Sequence, residues 1–194
     1  MSTAVNEVMF GKIGRLKDTF RYSAQPVISR ENVAEHSFWT AMIGITIAYE
    51  VSGNSLMVSR VALKAIVHDI EECMTGDLVR DMKYANPDTR EAIAKVEREF
   101  IGKLLFPMEG TGQRILNEWR DAKDSTMAGQ IVRLSDTLSV IQYCTKEMEL
   151  GNTNLVEIKN TCSSLIGSMS LIQSLEDVAY HALDETEDRW NRNA

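Results

Sequence analysis

The sequence contains few of the residues that interrupt regular structure, with three prolines and 11 glycines among 194 residues. A turn-rich all-β fold needs more of both. There is no run of 18 apolar residues, and residues 1–10 lack a basic region followed by an apolar one, so we expect neither a membrane-spanning helix nor a signal peptide. The three cysteines, Cys73, Cys144 and Cys162, lack CxxC spacing, which indicates reduced thiols in a cytoplasmic protein.

Basic residues are in the minority, with 21 Lys and Arg against 28 Asp and Glu and a net charge of −7. Nucleic-acid-binding proteins normally present a positive field, so the composition argues against a nucleic-acid partner. Hydrophobic residues (44%) and charged residues (25%) are present in ordinary proportions for a globular protein. The length suits one domain with its own core, and we therefore expect a single domain over residues 1–194.

Helical periodicity dominates the hydrophobic pattern, because apolar residues recur at spacings of three and four along most of the chain. Turn signals separate the helical segments at residues 53–55, 86–88, 106–112 and 151–152. Asn86 is predicted to cap one helix, and Asp124 or Ser125 to cap a long one. No pair of segments alternates with the period of strands. The sequence therefore predicts an all-α fold, a compact bundle of about six to eight helices, with the last helices over residues 152–190.

The large apolar residues predict which helix faces are buried. On the first long helix they are Val33, Phe38, Met42, Ile45 and Ala48. A second apolar series predicts one helix that carries both His68 and Asp69, and its members are Val58, Ala62, Ala65, Ile66 and Ile70. The series after Asn86 consists of Ile93, Val96, Phe100 and Leu104.

Histidines and carboxylates interrupt these helices at a few positions. His36 lies early in the first helix, His68-Asp69 lies on the second, and Asp136 interrupts an apolar face between Leu134 and Leu138. A carboxylate among aliphatic residues is costly unless it is paired or bound to a cation. Imidazole and carboxylate groups together suit a divalent transition ion that keeps positions open for water and substrate.

Spacing on the second helix adds a candidate for acid–base chemistry. His68 and Glu72 are four residues apart and therefore share a helix face, so Glu72 could reach a water molecule at an ion that His68 holds. Asp69 points about 100° away from His68 on an α-helix. Ligation by both would require the ion to lie between the two directions, so the His-Asp pair alone is a weak signal and the full set is far more specific.

Four motifs occur around these residues: RENVAEHS (residues 30–37), HDIEE (68–72), TGDL (75–78) and KY (83–84). In order and spacing they resemble the HD-domain phosphohydrolase superfamily, and within it the bacterial HD-domain 5′-deoxynucleotidases. The likeness covers about residues 15–150, with helices 152–190 left for packing or oligomerisation. The resemblance implies a single HD-type helical domain and a homo-oligomer, dimeric or larger.

The resemblance also implies roles for particular residues. The metal ligands would be His36, His68, Asp69 and Asp136. Glu72 would orient or deprotonate the attacking water, and Asp77 would be a second acid–base group or a contact to the substrate sugar.

On the substrate side, Arg21 matches a family arginine that grips the phosphate, and Lys83 would add positive charge beside it. Tyr22 stands where the family has a tryptophan near the nucleoside. Prolines common between Asp77 and Lys83 in the family are absent here. These departures fall on the expected nucleoside pocket, so the resemblance does not determine base and sugar preference.

Three functions follow as alternatives. The first is a 5′-deoxynucleotidase that hydrolyses deoxynucleoside monophosphates to deoxynucleoside and phosphate. The second is a deoxynucleoside triphosphohydrolase, and the third is a nucleotide-binding module without turnover. The expected cofactor is a divalent ion, Co²⁺, Mn²⁺, Zn²⁺ or Fe²⁺, with Mg²⁺ fitting imidazole ligands less well.

Overall fold

The computed structural model describes residues 3–193 and the side chains of residues 3–185, so residues 1, 2 and 194 of the predicted domain lie outside it. The all-α prediction is confirmed, because seven α-helices of at least 12 residues make up most of this range. They are α1 Val33–Ser52, α2 Ser55–Val67, α3 Pro87–Leu105, α4 Glu109–Arg120, α5 Met127–Glu149, α6 Val156–Ser168 and α7 Gln173–Asn193.

Short helical turns precede α1 and connect the later helices. They are Thr3–Asn6, the π-helix Glu7–Lys12, Ile13–Asp18, Glu72–Thr75, Arg80–Lys83, Phe106–Met108 and Thr153–Leu155. Extended pairing within the described range is limited to one antiparallel bridge between Phe20 and Asn32. Over the same residues, none of the helices combines the length and the hydropathy that a membrane crossing requires.

Side-chain caps determine where α1 and α3 begin. The Asn32 carboxamide accepts a hydrogen bond from the Glu35 backbone N–H (3.0 Å), and the Glu35 carboxylate accepts one from the Asn32 N–H (3.1 Å). This capping box starts α1 four residues before His36. Asn86 caps α3 as predicted, by accepting from the N–H of Thr89 at 2.8 Å.

The predicted cap of the long helix was wrong. Thr126 is the cap residue of α5, and its hydroxyl accepts from the Gly129 N–H. The Asp124 carboxylate lies outside the helix and accepts hydrogen bonds from the backbone N–H and the hydroxyl of Thr126. Asp124 therefore shapes the loop before the helix instead of starting it.

The main core lies where α1, α2 and α5 pack together, with α6 and α7 covering one side. Gly44 makes the closest part of this packing possible, since a Cβ atom there would lie 2.9 Å from Val61 Cγ1. A second apolar cluster joins the N-terminal turns to α3 and α4, and it includes Val33 of α1 and Ile70. Helix α1 and the chain after α2 thus contact both clusters.

The predicted buried faces were wrong at several positions. Phe38 and Met42 of α1 are 56% and 42% exposed, and Ile66 of α2 is 56% exposed. The buried face of α1 instead contains small residues, among them Thr40, Ala41 and Gly44, which let the neighbouring helices approach closely. Val33 and Ala48 of the predicted face are buried and Ile45 is half-buried, so the prediction for this helix failed at Phe38 and Met42.

Helix α3 shows a similar shift. Val96 and Phe100 are largely exposed, whereas Glu97 and Ile101 are buried. The turn predicted at residues 106–112 extends too far, because Gly110 and Gly112 lie in the first turn of α4. Gly112 allows this, since a Cβ atom there would lie 2.0 Å from the Leu105 carbonyl oxygen.

Candidate active site

Helix α2 ends at Val67, so the prediction that His68 and Asp69 lie within one continuous α-helix was wrong. The backbone changes to hydrogen bonds between residues three apart, from Ile70 N–H to Val67 O and from Glu72 N–H to Asp69 O, both 3.1 Å. The segment is a turn between α2 and the short helix Glu72–Thr75. Both His68 and Asp69 project from this turn toward His36 and Asp136.

The structure brings together His36 of α1, the pair His68-Asp69 after α2, and Asp136 of α5. His36 Nε2 lies 2.9 Å from Asp136 Oδ1 and 3.8 Å from Asp69 Oδ2. His68 Nε2 lies 2.9 Å from Asp69 Oδ2 and 3.7 Å from Asp136 Oδ1. Each imidazole thus faces one oxygen of each carboxylate, and both rings are buried.

Hydrogen bonds on the far sides of the rings orient the two histidines. His68 Nδ1 donates to the Ala65 carbonyl at 2.6 Å, which leaves the Nε2 lone pair directed at the carboxylates when the ring is neutral. His36 Nδ1 lies 3.2 Å from the Ser139 hydroxyl. Histidines that bind metals are commonly held in this way through the other ring nitrogen.

The electrostatics of the site call for a positive charge between the imidazoles and the carboxylates. Burial lowers the pKa of His68, but the charge of Asp69 together with hydrogen bonds to Asp136 and Asp69 raises the pKa to about 10. His36 differs, because burial and the charge of Arg21 lower its pKa to about 4. Without a cation, a neutral His68 would direct a lone pair at anionic oxygens, which is unfavourable.

A divalent ion fits this donor set. Ligand atoms with bonds of about 2.1 Å to one ion lie about 3 to 4 Å from one another. The four nitrogen–oxygen distances in the site run from 2.9 to 3.8 Å. His36, His68 and Asp69 each offer an atom within 4.8 Å of the others. Mixed imidazole and carboxylate donors of this kind favour a transition ion.

Glu71 and Glu72 each place a carboxyl group close to Asp69, and Asp77 lies near Glu72. Glu72 offers an oxygen within 4.8 Å of an Asp69 oxygen, and burial together with the charges of Asp69 and Asp77 raises the pKa of Glu72 to about 9. Asp77 accepts a hydrogen bond from the Tyr22 backbone N–H at 3.0 Å, and burial raises the pKa of Asp77. Asp77 therefore connects the TGDL segment to the segment that carries Arg21 and Tyr22.

Arg21 is held in place by the Glu31 carboxylate, 2.9 Å from its Nη1 atom. Burial lowers the pKa of Arg21, but Tyr22, Glu31 and the more distant Asp136 and Asp69 raise it above its ordinary value. Glu31 therefore orients the Arg21 guanidinium, and the charges of Asp69 and Asp136 stabilise its charged form.

Tyr22 packs flat against Tyr143 of α5, with ring centroids 4.7 Å apart. Its backbone adopts the left-handed conformation at φ 58°, which is uncommon for a residue with a side chain.

The predicted substrate residue Lys83 forms an ion pair with Glu97 of α3 at 3.0 Å. Lys83 is thus linked to α3, whereas Tyr22 is linked to α5.

Lys123 was missed by the sequence reasoning, although its Nζ atom lies 2.6 Å from Asp136 Oδ2. It belongs to the loop before α5, and no motif or periodicity marks it. Ser139 could have been found, because it lies three residues after Asp136 and shares its helix face. Glu71 is also buried and accepts a hydrogen bond from Trp119 Nε1 at 2.6 Å.

The fold is that of the HD-domain phosphohydrolases. An HD-domain phosphohydrolase from Listeria innocua superposes with a TM-score of 0.74 at 23% identity, over 96% of this chain and 98% of that one. The HD phosphohydrolase DatZ of cyanophage S-2L, solved with dA and one catalytic Zn²⁺ ion, gives a TM-score of 0.66 at 14% identity, over 94% and 96% of the two chains.

The chain belongs to the YfbR-like 5′-deoxynucleotidase family, whose model matches residues 8–184. A 5′-deoxynucleotidase of Vibrio parahaemolyticus is 31% identical over 151 residues, which cover 74% of this chain and 76% of the relative. A 5′-deoxynucleotidase of Yersinia pseudotuberculosis is 29% identical over 175 residues, covering 86% and 85%. The resemblance found in the sequence motifs is thereby confirmed, and the chain is a hydrolase of the HD phosphohydrolase class.

Proposed function

We propose that the protein hydrolyses 2′-deoxynucleoside 5′-monophosphates to deoxynucleoside and inorganic phosphate. The observation that carries this proposal is the convergence of two imidazole nitrogens and two carboxylate oxygens at 2.9 to 3.8 Å in a chain of the 5′-deoxynucleotidase family. The bound dA and Zn²⁺ of the cyanophage relative support a deoxynucleoside product and a metal in the same fold.

The proposed metal ligands are His36, His68, Asp69 and Asp136. When bound there, Co²⁺, Mn²⁺, Zn²⁺ or Fe²⁺, and less readily Mg²⁺, would supply a Lewis acid that polarises a phosphoryl oxygen and makes water more acidic. Asp69 and Asp136 would offset the positive charge of the ion.

Glu72 is proposed to accept the proton of the attacking water. After burial, the charge of Asp69 is the next largest reason that the pKa of Glu72 is raised. Positive charge placed beside Asp69 offsets that effect and moves the pKa of Glu72 back toward the range of a base at neutral pH. Asp77 is proposed as the second acid–base group or as an acceptor for a hydroxyl of the sugar.

Arg21 is proposed to bind the phosphate, since Glu31 holds it at 2.9 Å and leaves its other guanidinium nitrogen atoms for ligand oxygens. Tyr22 is proposed to contact the nucleoside, with the stacked Tyr143 ring behind it as a rigid support. Lys83 is proposed to add positive charge on the phosphate side, and it would then share its ammonium group with Glu97.

A substrate screen tests the proposal. Purified protein is incubated with deoxynucleoside monophosphates, ribonucleoside monophosphates and deoxynucleoside triphosphates, each with Co²⁺, Mn²⁺, Zn²⁺ or Mg²⁺, and the phosphorus product is identified. We expect phosphate release from deoxynucleoside monophosphates and none from the Asp69→Ala variant. Release of tripolyphosphate with no action on monophosphates would instead establish a triphosphohydrolase, and binding without hydrolysis would establish a module without turnover.

A further inference from the structure

Lys123 contacts the oxygens of the two site carboxylates that face away from the histidines. Asp136 directs Oδ1 toward His36 and His68 and Oδ2 toward the Lys123 ammonium group at 2.6 Å. The two oxygens of Asp69 also face opposite sides: Oδ2 faces the imidazoles, and Oδ1 lies 3.9 Å from Lys123 Nζ. One cationic side chain thus lies behind both carboxylates.

Side chains from α2 and α5 hold the loop that carries Lys123 in place. Lys64 of α2 is fully buried, donates to the Asp121 carbonyl, and lies 3.7 Å from the Asp124 carboxylate. From α5, Arg133 donates to the Lys123 carbonyl at 2.6 Å. Arg133 and Asp136 are three residues apart on one face of α5. The same helix face therefore holds the Lys123 backbone and receives its side chain.

We propose that Lys123 is a positioning residue for the cation site, holding the outer oxygens of Asp69 and Asp136 so that each carboxylate presents a single oxygen to the ion. This inference rests on the metal site of the proposed function. A carboxylate held at one oxygen loses the freedom to rotate and bind the ion through both oxygens. Partners of this kind behind a metal ligand typically account for about 10- to 100-fold in metal affinity or activity.

Direct metal binding tests the proposal without nucleotide. Co²⁺ is titrated into the full-length protein, binding is followed by the visible absorption of the ion, and affinity is measured by competition with a chelator. We expect Lys123→Met to weaken Co²⁺ binding by about 10- to 100-fold and to alter the Co²⁺ absorption bands. Lys123→Arg, which keeps the charge and the donors, is expected to retain most of the wild-type affinity.

Two controls separate positioning from charge and from folding. Lys103→Met removes an equal charge from an exposed position of α3 and should leave Co²⁺ affinity unchanged. Lys123→Gln keeps an N–H donor without the charge and should bind Co²⁺ more tightly than Lys123→Met does. If Lys123 only repelled the ion, both Met and Gln would bind Co²⁺ more tightly than wild type, and that result would overturn the proposal.

The remaining outcomes distinguish this inference from the proposed function. Equal Co²⁺ affinity in wild type and Lys123→Met would refute the positioning role and leave the hydrolase proposal standing. Weakened binding in Lys123→Met by a protein that hydrolyses no nucleotide would support the positioning role and contradict the proposed function. A wild-type protein that binds no Co²⁺ would overturn both.

Discussion

Glu72 lies beside the proposed ion site, and its Oε2 atom is buried and lacks a hydrogen-bond partner within the part of the chain that the structure describes. A buried carboxylate oxygen without a partner is unfavourable in itself, which is consistent with a functional role for Glu72. We expect Glu72→Gln, which keeps the shape and removes the base, to lower kcat for the deoxynucleotide by about 10²- to 10⁴-fold. Steady-state kinetics measure this loss, and Co²⁺ titration should show unchanged affinity. Wild-type kcat in Glu72→Gln would remove Glu72 from the mechanism.

Glu147 shows how a buried carboxylate away from that site stabilises the fold. It accepts hydrogen bonds from the N–H groups of Ile28 (2.7 Å) and Ser29 (2.6 Å) and from Asn152 Nδ2 (2.7 Å). Burial raises the pKa of Glu147, but these hydrogen bonds together lower it by more than burial raises it. The folded-state pKa therefore lies below the ordinary value of 4.5. The charged form is therefore the one that the fold favours.

This shift makes the contribution of Glu147 dependent on pH. A depressed pKa stabilises the folded state above the unfolded pKa, and that stabilisation is lost as pH falls through the folded value. We expect Glu147→Gln to destabilise the protein at pH 7 by about 1 to 3 kcal/mol, with a difference that shrinks below about pH 4.5. Urea unfolding at pH 7 and at pH 4 measures it, with the exposed Glu99→Gln as a neutral control. A difference independent of pH would contradict this assignment.

At the scale of elements, the junction between residues 121–126 and α5 depends on one glycine. A Cβ atom on Gly129 would lie 2.2 Å from Asp124 Oδ1 and 2.4 Å from the Asp124 carbonyl oxygen. Because the second of these is backbone, the loop itself would have to move. Lys123 lies in that loop, so the contact between Gly129 and Asp124 also bears on the proposed ion site.

We expect Gly129→Ala to lower the free energy of unfolding by about 1 to 3 kcal/mol and to weaken Co²⁺ binding. The matched control is Gly102→Ala in α3, where an added Cβ meets no atom within 4 Å. That variant should be more stable by about 0.5 to 1 kcal/mol, because alanine has the higher helix propensity. Thermal unfolding and Co²⁺ titration of the two variants measure these effects. If Gly129→Ala were as stable as Gly102→Ala, the loop before α5 would have adapted to the added Cβ atom.

Helices were predictable where local chemistry decides them, and less so where packing does. Asn86 with Pro87 has the composition of a helix start, and the structure has one there. The burial of α1 was only partly predictable from hydrophobicity, because its buried face includes small residues such as Ala41 and Gly44, and Gly44 packs against Val61 of α2 and Ser135 of α5. The end of α2 at Val67 also lacks a sequence signal, since no glycine or proline follows until Gly76.

At the scale of the whole molecule, the proposed ion ligands come from three separate parts of the chain. An ion that binds only when these parts are assembled stabilises the folded state by mass action. Co²⁺ at 100 times its Kd should contribute about 2.7 kcal/mol, a rise in Tm of roughly 5 to 10 °C for a domain of this size. Thermal scans with Co²⁺ and with EDTA measure the rise, and Asp69→Ala should show little or none. An equal rise in that variant would place the ion elsewhere.

The assembly of the protein is the remaining prediction at this scale. Phe38, Trp39 and Met42 of α1 are 56%, 46% and 42% exposed, and the rings of Phe38 and Trp39 are in edge contact at 5.6 Å. Contiguous apolar surface of this kind is typical of protein interfaces. We expect a homo-oligomer by light scattering and a smaller species for Phe38→Ser with Trp39→Ser. A wild-type monomer at micromolar concentration would contradict the expectation.

The sequence by itself predicted the helical class, the start of α3 at Asn86, and the residues His36, His68, Asp69 and Asp136, whose side chains the structure brings together. These predictions follow from local periodicity, from capping chemistry and from motifs that are visible in a single sequence. The tertiary structure alone decided which face of α1 is buried and which oxygen of Asp69 and of Asp136 faces the histidines. It also decided that Lys123 contacts the other oxygen of each carboxylate. The physical reason is that these properties depend on contacts between residues distant in the chain, such as Lys64 with Asp121, which no local pattern encodes.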